Sequence, residues 1–148
     1  MPLPDAFLPP AAVLDSNVVF DWLVFGNPGV GPLVQAIEGG HLRWLASPAM
    51  RDELADVLAR GVLAAWAPDE PRLWATWDRW AQPVHAPPTT GAARRLACRD
   101  ADDQKFIDLA LAHGARWLLS RDRAVLALAR RCAPLGLTIC TPERWTGP

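Results

Sequence analysis

Short apolar runs alternate with amphipathic stretches along most of the chain. Mostly apolar runs of four or five residues, bounded by turn residues, are typical of buried strands, and apolar residues spaced three and four apart predict helices. We predict strands at 11–14, 42–46, 116–119 and 137–140, and helices at 17–25, 31–38, 48–60, from residue 71 onward, 103–113 and 123–131. Because this alternation favours a parallel sheet covered on both faces, we expect an α/β three-layer sandwich with a central, mostly parallel sheet.

Prolines and glycines mark the segments outside these elements. Four prolines within the first ten residues indicate an extended tail, because proline fixes φ and donates no backbone hydrogen bond. We therefore predict a proline-rich N-terminal extension over residues 1–11 and a single domain over 12–148. Residues 83–91, which contain further prolines, are predicted to form a linker or loop.

Three tryptophans follow one another at a spacing of three within the helix predicted from residue 71. Trp74, Trp77 and Trp80 would lie toward one side of that helix. Such a row can stack on nucleic-acid bases. Packing against the core or a dimer partner is the simpler explanation, and it is the one we favour.

The composition is that of an ordinary domain of 148 residues, 51% of them hydrophobic. A net charge of −1 excludes nucleic-acid binding by bulk positive charge, although residues 1–93 carry −5 and residues 94–131 carry +4. There is no apolar run of about 20 residues that would span a membrane, and the first residues lack the basic start of a secretory signal. Three cysteines without a C-x-x-C pair predict neither a disulfide framework nor a thiolate zinc site. We therefore expect a cytoplasmic protein without a membrane partner.

Acidic residues lie at the carboxyl ends of two of the predicted strands. Asp15 comes after the first strand and Asp122 after the third, and parallel strands would place both at the same edge of the sheet. Helical spacing turns two more acids inward, since Glu53 borders the buried stripe of its helix and Asp103 lies on the inward face of another. Asp15, Asp103 and Asp122 each have an ordinary explanation as a cap or turn residue. Four acids from four elements at one edge favour a functional site.

Neighbouring charged residues are predicted to serve other purposes. Lys105 and Asp108 project outward from the helix that begins at Asp103. Asp100 and Asp102 precede that helix and are candidates for capping it.

Four carboxylates in one crevice raise each other's pKa unless a counter-charge is present. A divalent cation that prefers oxygen ligands removes this repulsion, and Mg²⁺ or Mn²⁺ also bridges to substrate phosphates. Such an ion can activate water and stabilise the oxyanions of phosphodiester displacement. The residues therefore predict a Mg²⁺ or Mn²⁺ site that serves phosphodiester hydrolysis.

Four motifs occur in order along the chain. They are Val13-Leu14-Asp15-Ser16-Asn17, then Ser47-Pro48 with Glu53-Leu54, then Cys98-Arg99-Asp100-Ala101-Asp102-Asp103-Gln104-Lys105-Phe106, then Leu118-Leu119-Ser120-Arg121-Asp122. Together they resemble the PIN-domain proteins, and most of all the bacterial ribonuclease toxins of the VapC type. The resemblance covers about residues 12–145, and the ordered set is more specific than any one motif. The proline-rich extension departs from the family pattern, in which the first strand opens the chain.

The resemblance implies a PIN-like fold and a Mg²⁺- or Mn²⁺-dependent endoribonuclease. It also implies the toxin of a type II toxin–antitoxin pair, with RNA as substrate, a cognate antitoxin protein as partner and a homodimer as the assembly. An activated water would attack the RNA phosphodiester in line and leave a 5′-phosphate and a 3′-hydroxyl. The family's metal-binding and catalytic acids match Asp15, Glu53, Asp103 and Asp122, with Asp102 as the competing choice for the third.

Further residues acquire supporting roles from the resemblance. Asn17 and Ser120 match family positions that would orient metal waters or a carboxylate. Arg99, Arg121 and Arg123 lie near the motif acids in the sequence and are candidates for contacts with RNA phosphates, although a solvated surface position is the favoured explanation for each.

Other functions fit parts of the same pattern. A haloacid-dehalogenase-like phosphatase also has an aspartate after its first strand, but it needs a second acid where this chain has Asn17. A phosphoreceiver domain needs paired acids close to the first strand, and only Asp15 lies there. A non-catalytic PIN-like module that binds RNA or protein is the third alternative.

Overall fold

A computed structural model describes residues 8–87 and 96–148 and contains one sheet of five parallel strands. The strands are β1 (Ala11–Leu14), β2 (Arg43–Ala46), β3 (Ala81–Pro83), β4 (Trp117–Leu119) and β5 (Thr138–Cys140). Their order across the sheet is β3-β2-β1-β4-β5, and every neighbouring pair is parallel. All residues of the central strand β1 are buried, as expected where both faces of a sheet are covered. The predicted α/β architecture with a parallel sheet is confirmed.

Helices connect the strands and cover the sheet. They are α1 (Ser16–Leu23), α2 (Gly31–Glu38), α3 (Pro48–Ala59), α4 (Glu70–Trp80), α5 (Gln104–Ala112), α6 (Arg123–Leu126) and α7 (Ala129–Cys132). Helix α5 packs against β1 and β4 and buries Phe106, Ile107 and Ala110. Within the two described ranges, every helix is too short or too polar to cross a lipid bilayer.

The sequence pattern does not predict the strand β3, whose last residue, Pro83, falls in the predicted 83–91 loop. It has only three residues, and of these Ala81 alone is buried while Gln82 and Pro83 are exposed. Because a strand this short shows no alternation, only its pairing with β2 identifies it. Its position at the edge of the sheet also explains why it tolerates proline.

The prediction of one helix over 123–131 is wrong, because the segment forms the two short helices α6 and α7. The amide of Leu128 bonds to the carbonyl of Val125 at 3.0 Å, and this tighter i→i−3 bond interrupts the α-helical pattern. The helix predicted at 103–113 is also preceded by a tight 3₁₀ turn, Ala101–Asp103. The other predicted helix boundaries agree with the structure within two residues.

Tryptophans form much of the core on one side of the sheet. Trp44 on β2 is almost fully buried, and its ring centroid lies 4.7 Å from that of Trp77 in an edge-on arrangement. Trp77 is itself buried, which confirms the prediction that it faces the core. Trp74 and Trp80 are half-buried against the same cluster, so the predicted row packs on the core with its ends partly exposed.

The chain before β1 is tied to the neighbouring strand. The carbonyl of Pro9 accepts a hydrogen bond from Nε of Arg43 at 2.7 Å, and the carbonyl of Pro10 accepts one from the Arg43 amide at 2.9 Å. Residues 1–7 of the predicted extension and residues 88–91 of the predicted loop lie outside the described residues. The division into an extension and a domain over 12–148 stays a prediction.

Replacing Trp44 should strongly destabilise the fold. The change Trp44→Ala removes a buried ring that packs on Trp77, and we expect the free energy of unfolding to fall by about 3–5 kcal/mol. Urea denaturation followed by circular dichroism measures this loss. The matched control is Trp66→Ala, because Trp66 is 58% exposed, and it should cost less than about 1 kcal/mol. Equal losses in both variants would contradict the proposed position of the core.

Candidate metal centre

The carboxyl ends of β1 and β4 bring two acids and a serine together. The two strands are neighbours in register, and the amide of Asp15 donates to the carbonyl of Leu119 at 2.9 Å. Ser120 is completely buried, and its Oγ donates to Oδ2 of Asp15 at 2.6 Å. The same Oγ accepts a hydrogen bond from the amide of Asp122 at 3.0 Å. Ser120 therefore sets the positions of Asp15 and the Asp122 backbone relative to each other.

Three acids converge at this edge where α5 begins. Asp100, Asp103 and Asp122 each offer a carboxylate oxygen, and these oxygens lie within 4.8 Å of one another. Asp103 is buried, while Asp102 is exposed and its amide donates to Oδ1 of Asp100 at 3.0 Å. Oδ2 of Asp103 is buried and finds no hydrogen-bond partner in the described part of the chain. A buried, unpaired carboxylate oxygen is costly unless something positively charged approaches it.

Burial and neighbouring carboxyl groups raise the pKa values of Asp103 and Asp15. Burial, together with the neighbouring Asp122 carboxyl group and the charge of Asp15, raises the pKa of Asp103 to about 8. Burial also raises the pKa of Asp15, and the hydrogen bond from Ser120 opposes that effect without cancelling it. The charges of Asp122 and Glu53 add to the rise at Asp15. Without a counter-ion Asp103 and Asp15 therefore hold their protons more tightly than free aspartate does.

Glu53 on α3 approaches the same edge and has two partners of its own. The hydroxyl of Ser16 donates to its Oε1 at 3.3 Å, and the ammonium of Lys105 forms an ion pair with its Oε2. The prediction that Lys105 points outward is wrong. Its long side chain folds back across the site, contacts the carbonyl of Asp102 and reaches the neighbouring helix. Among the described residues, Lys105 thus brings a positive charge to this edge, where it pairs with Glu53.

The supporting residues differ in how they contact the site. Oδ1 of Asn17 accepts a hydrogen bond from the amide of Arg121 at 3.3 Å, which holds the loop after β4. The partly exposed guanidinium of Arg121 is already paired with two carboxylates, so it is poorly placed to contact RNA. Arg99 and Arg123 are exposed and flank the acids in the sequence. The roles predicted for all these residues stay predictions.

Two contributors to this edge were missed by sequence reasoning. Asp100 was assigned to capping, and it does accept the Asp102 amide, but it also lies among the converging acids. Because a 3₁₀ turn brings residues i and i+3 to the same side, the spacing of three between Asp100 and Asp103 was the sequence signal for this contact. Lys105 is the only lysine of the chain and follows Asp103 by two residues, yet only the tertiary packing shows its contact with Glu53.

The protein has the fold of the parallel α/β proteins, in which ligands bind beyond the carboxyl ends of the strands. Its acids lie at this same edge of the sheet. Within that class, the chain matches the PIN domain family over residues 11–124. The match covers more than half of the chain, which therefore belongs to the PIN-domain family. PIN domains have a nuclease-type fold and are usually metal-dependent. Membership of this family suggests that the protein binds nucleic acid. A comparison with curated protein sequences gave no match.

The residues present fit a divalent cation. All the converging side chains of the acidic group are carboxylates, the hard oxygen donors that Mg²⁺ and Mn²⁺ prefer. The unpaired Oδ2 of Asp103 is a buried acceptor that a cation would satisfy. Asp100, Asp103 and Asp122 would hold the ion, with Asp15 beside them.

The metal-free protein should lose stability as pH rises, because of Asp103. Its pKa is about 8 in the folded protein against 3.8 for the free group, so the folded state binds more protons between these values. Stability is therefore greatest at low pH within this window and falls as pH rises through it. The change Asp103→Asn removes the effect, and we expect the variant to be more stable than the wild type above about pH 8 by about 1–3 kcal/mol. Thermal unfolding with a chelator, at several pH values, measures this difference.

The control for this experiment is Asp102→Asn, because Asp102 is the adjacent exposed acid. Its stability should follow the wild-type pH dependence. Added Mg²⁺ should stabilise the wild type more than Asp103→Asn at high pH. A stability that rises with pH in the metal-free wild type, and is unchanged by Asp103→Asn, would contradict the assignment of a protonated Asp103.

Proposed function

We propose that this protein is an endoribonuclease that depends on Mg²⁺ or Mn²⁺. The observation that carries the proposal is the buried, unpaired Oδ2 of Asp103, which lies among the carboxylates of the metal centre. Such a group is destabilising for the fold alone and is explained by a cation that binds there. The proposed catalytic and metal-binding residues are Asp15, Glu53, Asp103 and Asp122, joined by Asp100.

The chain's own residues prepare the site for this chemistry. A bound divalent cation would lower the pKa of a water and neutralise charge on the scissile phosphate. Ser120 holds Asp15 in one orientation, and Asp122 is held by the amide of Ala124, which donates to its Oδ1 at 2.8 Å. Lys105 pairs with Oε2 of Glu53, and Oε1 of Glu53 accepts a hydrogen bond from Ser16, so both oxygens of this carboxylate have partners.

RNA is the proposed substrate, and the charge distribution supports a phosphate chain at this edge. Residues 94–131 carry a net charge of +4, while the chain as a whole carries −1. Arg99 and Arg123 are exposed beside the acidic group and can contact phosphates on either side of the scissile bond. Arg121 is the weaker candidate, because its donors already bond to carboxylates.

The biological role we propose is that of a cytoplasmic toxin of the VapC type. The four ordered motifs of the sequence support this role, together with membership of the PIN-domain family. A cognate antitoxin protein would inhibit the enzyme, and the active assembly would be a homodimer.

Single substitutions in the acidic group should abolish cleavage. We expect Asp15→Asn and Asp103→Asn each to lower the rate of RNA cleavage by more than about 100-fold in Mg²⁺ or Mn²⁺, because each removes a charged oxygen from the metal centre. The rate is measured on a panel of labelled RNAs, with a chelator-treated sample as the metal-free reference. The matched control is Asp52→Asn, because Asp52 is an exposed acid next to Glu53, and it should cleave like the wild type.

Other results would redirect the assignment. Equal cleavage by Asp15→Asn and the wild type would mean that the activity belongs to another site or to a contaminant. Release of phosphate from small phosphomonoesters, with a trapped aspartyl-phosphate on Asp15, would favour the phosphatase alternative. Failure to bind Mn²⁺ with or without RNA would favour a non-catalytic module.

The toxin role predicts an effect on growing cells. Expression of the wild-type chain in a bacterial host should arrest growth, and Asp15→Asn should relieve the arrest because it removes a proposed metal ligand at the same expression level. Growth curves after induction, with the protein level followed on the same samples, check this outcome. A small neighbouring reading frame whose product restores growth would identify the antitoxin. Normal growth with the wild type, at a level where purified protein cleaves RNA, would contradict the toxin role.

A further inference from the structure

Arg121 lies between the two loop residues that reach the metal centre, but its side chain points elsewhere. Nε donates to Oδ2 of Asp21 on α1 at 2.5 Å. The two terminal nitrogens donate to the two oxygens of Glu143, at 2.9 and 2.6 Å, in a forked arrangement. Charge-assisted, bidentate bonds of this kind are the stronger and more directional ones. One guanidinium therefore joins two carboxylates from distant parts of the chain.

The backbone of Arg121 is held as well as its side chain. Its amide donates to Oδ1 of Asn17. Helix α1 therefore contacts both the backbone and the guanidinium of Arg121. On one side of Arg121, the hydroxyl of Ser120 donates to Asp15. On the other side, Asp122 provides one of the converging carboxylates. The loop after β4 cannot shift without breaking these bonds.

Gly29 makes room for the Glu143 carboxylate. A Cβ atom at position 29 would lie 2.5 Å from Oε1 of Glu143, which is closer than real contacts allow. Gly29 has no positive φ, so alanine fits its backbone and the Glu143 side chain would have to move instead. Glu143 lies in the turn Pro142–Arg144 after β5, beyond the residues that match the PIN domain family.

We propose that Asp21, Arg121 and Glu143 form a clamp that positions Ser120 and Asp122 in the metal centre, with Gly29 providing the space for Glu143. They are positioning residues, because their side chains act through the loop after β4. The clamp's part in metal binding rests on the function proposed above, while its hold on the loop does not. In this way the C-terminal segment, outside the matched family region, contributes to the site.

Two substitutions test the clamp from different sides. Glu143→Gln removes the charge that pairs with Arg121, and Gly29→Ala displaces the Glu143 side chain while leaving it intact. In both variants we expect the amides of Arg121 and Asp122 to exchange hydrogen at least about 10-fold faster, with the exchange of the core strands unchanged. We also expect the dissociation constant for Mn²⁺, measured by electron paramagnetic resonance, to rise about 10-fold.

The control and the double variant make the outcome specific. Asp78→Asn breaks another exposed carboxylate–arginine pair, with Arg51, and should leave both quantities unchanged. Gly29→Ala combined with Glu143→Gln should add little to either single change, because both act through one contact.

Each result separates the clamp from the proposed function. Unchanged amide exchange in both variants overturns the clamp. Faster exchange with unchanged Mn²⁺ affinity overturns its positioning role. If the wild type itself binds no Mn²⁺ and cleaves no RNA, the proposed function fails, and faster exchange at the two amides still supports the clamp on the loop.

Discussion

Mutual repulsion among carboxylates at the carboxyl edge of β1 and β4 is the constraint on which the site depends. Asp15 and Asp103 are buried there, and burial, together with the charges of neighbouring acids, raises the pKa of both. The fold offsets this repulsion only in part. Ser120 donates to Asp15 and Lys105 pairs with Glu53, but Oδ2 of Asp103 keeps no partner in the described residues. A divalent cation is the kind of ligand that would satisfy that group.

The loop after β4 connects this constraint to the rest of the fold. Within three residues it carries the hydroxyl that orients Asp15, a guanidinium bound to two distant carboxylates, and an acid of the metal centre. The side chains of Ser120 and Arg121 point in different directions, so one short segment contacts both the site and its surroundings. Asp122 also caps α6 by accepting the amide of Ala124, which gives it a structural role beside the one proposed in metal binding.

Much of the fold could be predicted because its signals are local. The runs at β1, β2, β4 and β5 are apolar enough to be recognised as buried strands, and the stripes of α3 and α5 follow helical spacing. The miss at β3 has a physical cause, since three residues with one buried side chain carry no periodic signal. The break between α6 and α7 was missed because a switch to i→i−3 bonding depends on backbone geometry that residue types alone do not specify.

The sequence by itself determined where acids of the site lie: Asp15 directly after β1, Asp122 in the loop after β4, and Asp103 at the start of α5. Parallel strands must end at a common edge, so their convergence follows from the pattern. Only the tertiary structure decided the partners. Lys105 folds back to Glu53, and Arg121 pairs with Asp21 and Glu143. These contacts join residues from separate elements through long, flexible side chains, whose directions depend on packing and not on spacing along the chain.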